Sequence, residues 1–272
     1  MREDSIIIAD SKAKPTKPEG CKAQLIDLPF TSTAKELGTA LMKNMVAIGA
    51  TSALMNLDTT TFEELITNMF SKKGEKVVDM NIEALNEGYR LMKEHLSSIQ
   101  GDFELEAINE DPHLYMIGND AIGLGAISAG SKFMAAYPIT PASEIMEYMI
   151  ANLPKVGGTV VQTEDEIAAA TMAIGSNYAG VRGFTASAGP GLSLMMESIG
   201  LSGMTETPFV VINTQRGGPS TGLPTKQEQS DLMQMIYGTH GDIPKIVVAP
   251  TDAEDAFYLT VEAFNLAEEY QC

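Results

Sequence analysis

Residues 159–200 have the sequence TVVQTEDEIAAATMAIGSNYAGVRGFTASAGPGLSLMMESIG, in which two strand-like runs are each followed by a helix-like run. The runs TVVQT (159–163) and RGFTAS (182–187) are short and contain β-branched residues, which is typical of buried strands. Helices are predicted over 165–180 and 190–201, where apolar residues continue at helical spacing. Such alternation is typical of a mostly parallel sheet with helices on both faces, so the stretch predicts a doubly wound α/β fold.

The alternation continues on both sides of this stretch, which indicates a single domain over 113–272. The last predicted helix is amphipathic and ought to lead into another strand, so we expect the domain to be C-terminally incomplete and the chain to be a fragment. The flanking elements are predicted as strands at 113–118, 133–138, 208–215 and 245–250 and as helices from about 119, at 141–153 and at 252–270.

The first hundred residues follow a different pattern, with two strand-like runs and then several helix-like runs. Because two strands alone make a poor sheet, we interpret 1–100 as a partial α/β domain. The acidic stretch 101–112 is interpreted as a linker to the second domain. The elements predicted in the first domain are strands at 5–9 and 24–29 and helices at about 32–55, 61–72 and 79–99.

Composition excludes several classes of protein. The chain has 272 residues, a formal net charge of -18 and no basic stripe, so we expect no nucleic-acid partner. Its two cysteines, Cys21 and Cys272, are far apart, which predicts no disulfide framework, no metal site and no iron–sulfur cluster of the usual four thiolates. The sequence shows no signal peptide and no apolar run of about 18 residues, so we expect a cytoplasmic protein without a membrane span.

Polar and glycine-rich residues follow four consecutive predicted strands. They are Thr140, the segment from Thr163 to Glu166, the segment from Ser187 to Gly191, and the segment from Arg216 to Thr225. The carboxyl ends of parallel strands lie along one edge of a sheet, and ligands of such sheets bind there. We therefore expect these four segments to form one site.

Glu166 has two interpretations. Thr163 and Glu166 have the spacing of a capping box, in which the carboxylate only stabilises the start of a helix. Alternatively, the small apolar residues that follow place the carboxylate in an apolar environment, which suits it to proton exchange with a nitrogen of a cofactor. These residues alone leave both interpretations open.

The segments around Thr140 and Arg216 also allow two interpretations each. Pro138 and Pro141 hold the backbone around Thr140 extended, so its hydroxyl either caps a turn or contacts a ligand. Arg216 begins a long loop that is solvent-exposed by default, yet it follows a buried strand, and a guanidinium suits a substrate carboxylate. The turn at Gly189 and Gly191 resembles an ordinary strand–helix connection when taken alone.

Taken together, these segments resemble one family. In chain order the matching motifs are GNDAIGLGAISAGSKFMAAYPITPASEI, QTEDEIAAATMAIGSNYAG, TASAGPGLSLMMESIG, QRGGPSTGLPTKQEQSDL and THGDIPKIVVAP. They are similar to the pyrimidine-binding domain of the α subunit of 2-oxoacid:ferredoxin oxidoreductases of the 2-oxoglutarate type. Residues 1–100, with KNMVAIGA and NIEALNEGY, resemble the back half of the γ domain that is fused ahead of α in such subunits.

The resemblance implies thiamine diphosphate as cofactor and the oxidative decarboxylation of a 2-oxoacid, with coenzyme A as acyl acceptor and ferredoxin as electron acceptor. Glu166 matches the glutamate that hydrogen-bonds the aminopyrimidine ring and so promotes proton removal from the thiazolium carbon. Thr140 matches a threonine near the thiazolium and the substrate, and Arg216 matches the arginine that holds the substrate carboxylate. The remaining cofactor contacts implied by the resemblance are Pro138, Ile139, Ser187 and Gly189.

The resemblance also implies that the catalytic unit has a second subunit. The diphosphate and magnesium motif and the cysteine cluster that the family requires are absent from this sequence, and in the family they belong to the β subunit or a further small subunit. The chain alone is then expected to be inactive. Two alternatives remain, namely the pyrimidine-binding half of a non-oxidative thiamine-dependent decarboxylase and a non-catalytic scaffold subunit.

Overall fold

The computed structural model describes residues 5–106 and 114–272. The chain divides into two compact units, Met1–Asp111 and Pro112–Cys272.

The described residues of the first unit form two parallel strands and four α-helices. Strand β1 pairs in parallel with β2 along its whole length, from Ile6 opposite Gln24 to Asp10 opposite Leu28. Apolar side chains from both strands and from three of the helices pack into one cluster, whose buried members include Leu28, Val46 and Met92. The elements are β1 (Ile6–Asp10), β2 (Gln24–Leu28), α1 (Phe30–Glu36), α2 (Lys43–Leu54), α3 (Thr60–Phe70) and α4 (Glu75–Lys93).

Helices α2 and α4 pack so closely that glycine is required where they cross. A Cβ atom on Gly49 would collide with the carbonyl group of Leu85, 2.8 Å from its carbon. A Cβ atom on Gly88 would collide in the same way with the carbonyl group of Val46, 2.7 Å from its carbon. The collisions are with backbone rather than with side chains, so the two helices are in backbone contact at these glycines.

The single helix predicted over about 32–55 is wrong, because two α-helices occupy this stretch. Gly38 lies between α1 and α2 with a φ of +137°, a conformation that a side chain disfavours and that no helix contains. A short 3₁₀ helix, Ala40–Met42, follows, and the Thr39 hydroxyl accepts a hydrogen bond from the Leu41 N–H at its start. The helical periodicity on both sides of Gly38 is real, but the chain changes direction there.

The second unit contains a four-stranded parallel sheet in the order β4–β3–β5–β6. Its strands are β3 (Phe133–Ala136), β4 (Thr159–Gln162), β5 (Gly183–Ser187) and β6 (Val210–Asn213). Its helices are α5 (Gly118–Ser128), α6 (Ser143–Asn152), α7 (Glu166–Tyr178), α8 (Gly189–Thr205), α9 (Leu232–Tyr237) and α10 (Ala253–Tyr270).

Helices cover both faces of this sheet. On one face, Phe184 and Val210 pack in a cluster with side chains of α5, α6 and α10, and Phe184 meets Phe264 edge to face. On the other face, Phe209 and Val211 pack against α7 and α8. Successive strand residues point to opposite faces, and the apolar run of β6 therefore serves both layers. The predicted doubly wound α/β fold is confirmed.

Two predicted strands are absent from the described residues. His113 lies outside them, and residues 114–117 form no strand; Leu114 and Tyr115 are 85% and 96% exposed. Residues 245–250, which follow Pro244 and end at Pro250, pair with no strand of the sheet. An apolar cavity lies between residues 243–248 and β6. An apolar run becomes a strand only where a neighbouring strand supplies hydrogen bonds, and these two runs have none.

None of the helices in the described ranges has the length and apolar character that crossing a membrane requires.

Candidate active site

Three strands of the second sheet carry candidate site residues at or just after their carboxyl ends; β5 and β6 are neighbours, and β3 separates them from β4. Glu166 follows β4, Ser187 is the last residue of β5, and Arg216 comes three residues after β6. The ladder continues just past the strands, since the Thr214 N–H donates to the Ser187 carbonyl oxygen at 2.9 Å. Parallel pairing therefore places these residues at one rim, as the sequence indicates.

Glu166 is the first residue of α7, but the residue that caps this helix is Asp165. The Asp165 Oδ1 atom accepts a hydrogen bond from the Ala168 N–H at 2.7 Å. The Thr163 hydroxyl donates to the carbonyl oxygen of Asp165 at 2.8 Å, so neither partner of the expected capping box bonds the other. The capping-box interpretation of Glu166 is wrong, although the residue still places an acidic group in the first turn of α7.

The Glu166 carboxylate lies beside Ser187 and the first turn of α8. Glu166 is 7% exposed, and its carboxylate forms no hydrogen bond or ion pair within the described part of the chain. A Cβ atom on Gly191 would lie 2.8 Å from Glu166 Oε1 and closer still to Ser187 Oγ, so both side chains occupy space that Gly191 leaves open. Ser187 Oγ is buried and has no hydrogen-bond partner among residues 5–106 and 114–272.

Arg216 is buried rather than solvent-exposed, with 7% of its surface accessible. One guanidinium nitrogen donates to the Thr140 carbonyl oxygen at 2.8 Å, and the other donates to the Thr221 carbonyl oxygen at 2.6 Å. The Nε atom is buried without a partner, and no carboxylate pairs with Arg216 among residues 5–106 and 114–272. The site thus contains a fixed positive charge that can still accept an anion.

Thr140 is exposed in the turn between β3 and α6. Its carbonyl oxygen holds Arg216, and its hydroxyl forms no hydrogen bond within the described residues, so it does not cap the helix. Helix α6 begins at Ser143, two residues after the position predicted from Pro141. Within the described residues the hydroxyl therefore caps neither the turn nor the helix, which leaves the ligand interpretation.

The loop between β6 and α9 is closed at its base. The Asn213 amide donates to Asp231 Oδ2 at 3.0 Å, and the Asp231 N–H donates to Gln215 Oε1 at 3.2 Å. Within the loop, the Gly217 N–H donates to the Lys226 carbonyl oxygen at 2.8 Å. These bonds give the loop that carries Arg216 a defined conformation.

The remaining candidates lie in different surroundings. Gly189 starts α8, and a Cβ atom there would lie 2.9 Å from Asp231 Oδ2. Ile139 packs against the core beneath the sheet, and Pro138 is exposed. The structure therefore brings the predicted site residues together in two pairs, Glu166 with Ser187 and Thr140 with Arg216. No hydrogen bond joins one pair to the other in the described chain.

Four residues at this rim were not predicted to have a role of their own, namely Asp165, Gly191, Thr221 and Asp231, although the first three lie in segments that were predicted to form the site. Asp165 could have been found, because an aspartate three residues before the helical N–H that it accepts is a common cap. Asp231 precedes an apolar run and has the appearance of a cap for α9, yet its side chain makes no capping bond there. Thr221 contributes only a carbonyl oxygen, which leaves no signal in a sequence.

Buried polar atoms without partners collect at this rim. Among the described residues they are Thr185 Oγ1, Ser187 Oγ, Asn213 Oδ1, Thr214 Oγ1 and Arg216 Nε, and all but Thr185 Oγ1 lie at or beyond the carboxyl ends of β5 and β6. Buried polar groups are nearly always hydrogen-bonded, and their exceptions need a reason. A polar ligand that covers this edge would supply the missing partners.

Two family models match the chain. The model described as pyruvate flavodoxin/ferredoxin oxidoreductase, thiamine diP-bdg, matches residues 124–272, and the model described as pyruvate ferredoxin/flavodoxin oxidoreductase matches residues 1–91. The first covers more than half of the chain and contains every candidate site residue.

Relatives of known name agree with these matches. The 2-oxoglutarate synthase subunit KorA of Methanothermobacter thermautotrophicus is 54% identical over 157 residues, which is 58% of this chain and 42% of that relative. The 2-oxoacid:ferredoxin oxidoreductase 1 subunit alpha of Sulfurisphaera tokodaii is 40% identical over 246 residues, which is 86% of this chain and 38% of the relative.

A solved structure also matches. The 2-oxoglutarate:ferredoxin oxidoreductase from Magnetococcus marinus, with 2-oxoglutarate, coenzyme A and succinyl-CoA bound, superimposes with a TM-score of 0.85 and 44% identity over 99% of this chain and 47% of that one. The chain spans less than half the length of each of these three relatives. By both its sequence and its fold, the chain belongs to the pyruvate flavodoxin/ferredoxin oxidoreductase family and carries that family's thiamine-diphosphate-binding domain.

Proposed function

We propose that the chain is part of the α subunit of a 2-oxoacid:ferredoxin oxidoreductase of the 2-oxoglutarate type. The reaction is the coenzyme A-dependent oxidative decarboxylation of a 2-oxoacid, 2-oxoglutarate in the first instance, to an acyl-CoA and CO₂ with reduction of ferredoxin. The observation that carries the proposal is the buried Glu166 carboxylate, which has no protein partner among the described residues and lies at a rim of unpaired polar atoms. The names of the relatives support the substrate class.

The residues of the rim fit the aminopyrimidine ring of thiamine diphosphate. Glu166 offers an unpaired acceptor for a ring N–H, and the unpaired Ser187 hydroxyl lies beside it. Bound there, the cofactor would supply a nucleophilic carbon for attack on the keto group of the substrate. The role of Glu166 is to hold a proton at the ring nitrogen, and burial strengthens that bond by excluding water. Pro138, Ile139 and Gly189 complete the proposed cofactor contacts.

Arg216 is proposed to hold the substrate carboxylate. Within the described part of the chain, two of its five N–H donors are used on backbone carbonyl oxygens and three remain, including the unpaired Nε. The carbonyl of Thr140 fixes one end of the guanidinium, and the free Thr140 hydroxyl is proposed to contact the substrate beside it. A charge held in place before binding reduces the ordering cost of the reacting complex.

The rest of the machinery is assigned to other chains. We propose that a β subunit supplies the diphosphate and magnesium site and that it or a further subunit holds the iron–sulfur clusters, with ferredoxin as the electron acceptor. Residues 1–100 are proposed as part of a γ domain, 101–112 as a linker and 113–272 as the pyrimidine-binding domain. The complex is proposed to work in the cytoplasm.

The deciding experiment replaces Glu166 by glutamine in the chain coexpressed with its β subunit. We expect hydrogen–deuterium exchange at the reactive carbon of the bound cofactor to slow by roughly a hundredfold or more, because an amide cannot replace the carboxylate as proton acceptor. The control is Glu164→Gln, an exposed neighbour, which should exchange at close to the original rate.

The exchange assay also separates this proposal from its rivals. Unchanged exchange in Glu166→Gln would remove the catalytic role of Glu166, and no exchange in the unaltered complex would leave a scaffold subunit. Viologen reduction with a panel of 2-oxoacids then distinguishes an oxidoreductase from a non-oxidative decarboxylase, which would release aldehyde without reducing the dye.

A further inference from the structure

Asp231 is a buried carboxylate that has no role in the proposed chemistry. It is 9% exposed, and no arginine, lysine or histidine pairs with it in the described ranges. Its polar neighbours are the Asn213 amide at 3.0 Å and, at the limit of hydrogen bonding, the Ser230 hydroxyl at 3.5 Å. A buried charge of this kind needs compensation from elsewhere.

The first residue of α8 lies beside this carboxylate. A Cβ atom on Gly189 would be 2.9 Å from one carboxylate oxygen of Asp231 and 3.0 Å from the other. Helix α8 is 17 residues long and lacks a side-chain cap of its own, because its N-cap residue is Ala188. The positive end of the helix dipole therefore faces the Asp231 carboxylate, which a side chain at position 189 would displace.

Asp231 also closes the loop that carries Arg216. Hydrogen bonds hold both neighbours of Arg216 in place. The Gln215 side chain accepts the N–H of Asp231 at 3.2 Å, and the Gly217 N–H donates to the Lys226 carbonyl oxygen at 2.8 Å. The position of the guanidinium thus depends on the loop being closed at Asp231. If the base of the loop opened, we expect Arg216 to lose its contact with the Thr140 carbonyl oxygen, which lies outside the loop.

Building on the proposed function, we infer that Asp231 is a positioning residue for substrate binding. Its charge on the N-terminus of α8 clamps the Arg216 loop to the same rim that holds Glu166 and Ser187. Asp231 acts through the loop and touches neither substrate nor cofactor. It couples the anchor for the substrate carboxylate to the helix against which the cofactor ring is proposed to lie.

The test is Asp231→Asn, which keeps the shape of the side chain and an acceptor for Asn213 but removes the charge. In the 272-residue chain, amide hydrogen exchange at Gly217, Leu223 and Lys226 should accelerate about tenfold or more, while exchange in β5 stays unchanged. In the complex with the β subunit, the KM for the 2-oxoacid should rise about tenfold, with kcat within about threefold, because only carboxylate binding is weakened. Asp242→Asn, an exposed neutralisation, is the control.

A second variant keeps the test decisive if Asp231→Asn does not fold. Gln215→Met removes the acceptor of the Asp231 N–H at the other side of the loop base and should reproduce the local acceleration. Unchanged exchange in the loop in both variants, or a fall in kcat without a rise in KM, would overturn the inference. Exchange does not require activity, so an inactive unaltered complex would refute the proposed function, while the loop measurement would still decide whether Asp231 holds the loop closed.

Discussion

The Glu166 carboxylate and the Ser187 hydroxyl both lie beside Gly191, where the Cβ atom of any other residue would stand. Glu166 comes from the start of α7 and Ser187 from the end of β5, and both side chains meet the first turn of α8 at Gly191. The absence of a side chain at position 191 is therefore what lets both polar groups stand at the rim.

Gly191→Ala should disturb both groups at once. The added methyl group would contact Glu166 Cγ at 2.7 Å as well as Oε1 at 2.8 Å, so we expect the carboxylate to be displaced and thiamine diphosphate to bind at least about tenfold more weakly in the complex. Overpacking of this kind costs about 1–3 kcal/mol of stability. Calorimetric titration with the cofactor and urea unfolding measure the two effects.

Gly200→Ala is the matched control for this change, because it adds the same methyl group to α8 where nothing lies within 4 Å. It should raise the free energy of unfolding by about 0.5–1 kcal/mol and leave cofactor affinity unchanged. Unaltered cofactor affinity in Gly191→Ala would mean that the Glu166 carboxylate does not meet the ring in the proposed way.

Arg216→Met should remove the substrate anchor. We expect kcat/KM for the 2-oxoacid to fall by roughly a hundredfold, because the buried site would lose its positive charge. The carbonyl oxygens of Thr140 and Thr221 would also lose their donor, at a cost of about 1–3 kcal/mol in unfolding free energy. Steady-state kinetics and urea unfolding measure these changes.

Lys226→Met provides the comparison for Arg216, since it removes an exposed positive charge from the same loop. Its kcat/KM should stay within about twofold of the original value. Equal losses in the two variants would show that the loop attracts the substrate by its overall charge rather than through a fixed guanidinium.

Asp165→Ala should lower both stability and activity. The variant loses the 2.7 Å bond to the Ala168 N–H, which costs about 1 kcal/mol, and it loosens the first turn of α7, where Glu166 stands. Asp252 caps α10 in the same way, through a 2.9 Å bond to the Asp255 N–H. Asp252→Ala should therefore cost a similar free energy in a thermal melt but leave turnover unchanged. Equal turnover in both variants would contradict a role for the cap in holding Glu166.

Gly49→Ala and Gly88→Ala should each destabilise the first unit. The new methyl group would collide with a backbone carbonyl at the crossing of α2 and α4, so the helices must move apart, at a cost of about 1–3 kcal/mol or more. Glu83→Ala, an exposed change on α4, should alter the unfolding free energy by less than about 0.5 kcal/mol. Urea unfolding followed by circular dichroism compares them, and equal stability of all three variants would contradict the close crossing.

The layers of the second unit and the common rim were predictable because they depend on local pattern and on one topological rule. Alternation of strands and helices predicts a parallel sheet, and a parallel sheet places Thr140, Glu166, Ser187 and Arg216 at the same edge. The break between α1 and α2 was less accessible, since Gly38 is one of several glycines and only its φ distinguishes it.

What the sequence could not predict depends on contacts between distant parts of the chain. Arg216 is held by carbonyl oxygens, and any residue at positions 140 and 221 would offer the same atom. The carboxylate of Asp231 lies beside Gly189 at the start of α8 and does not cap α9, although α9 follows Asp231 directly in the chain. Residues 245–250 have strand composition, but composition does not state whether a hydrogen-bonding partner is present.

The attachment of Arg216 to carbonyl oxygens has a consequence for how such a site can diverge. Every amino acid carries the same backbone oxygen, so the side chains at 140 and 221 can be exchanged without releasing the guanidinium. The Arg216 guanidinium, which is proposed to bind the carboxylate common to all 2-oxoacids, therefore keeps its position when the side chains at 140 and 221 change. New substrate preferences can arise at residue 140, whose side chain is exposed, while the common anchor is inherited unaltered.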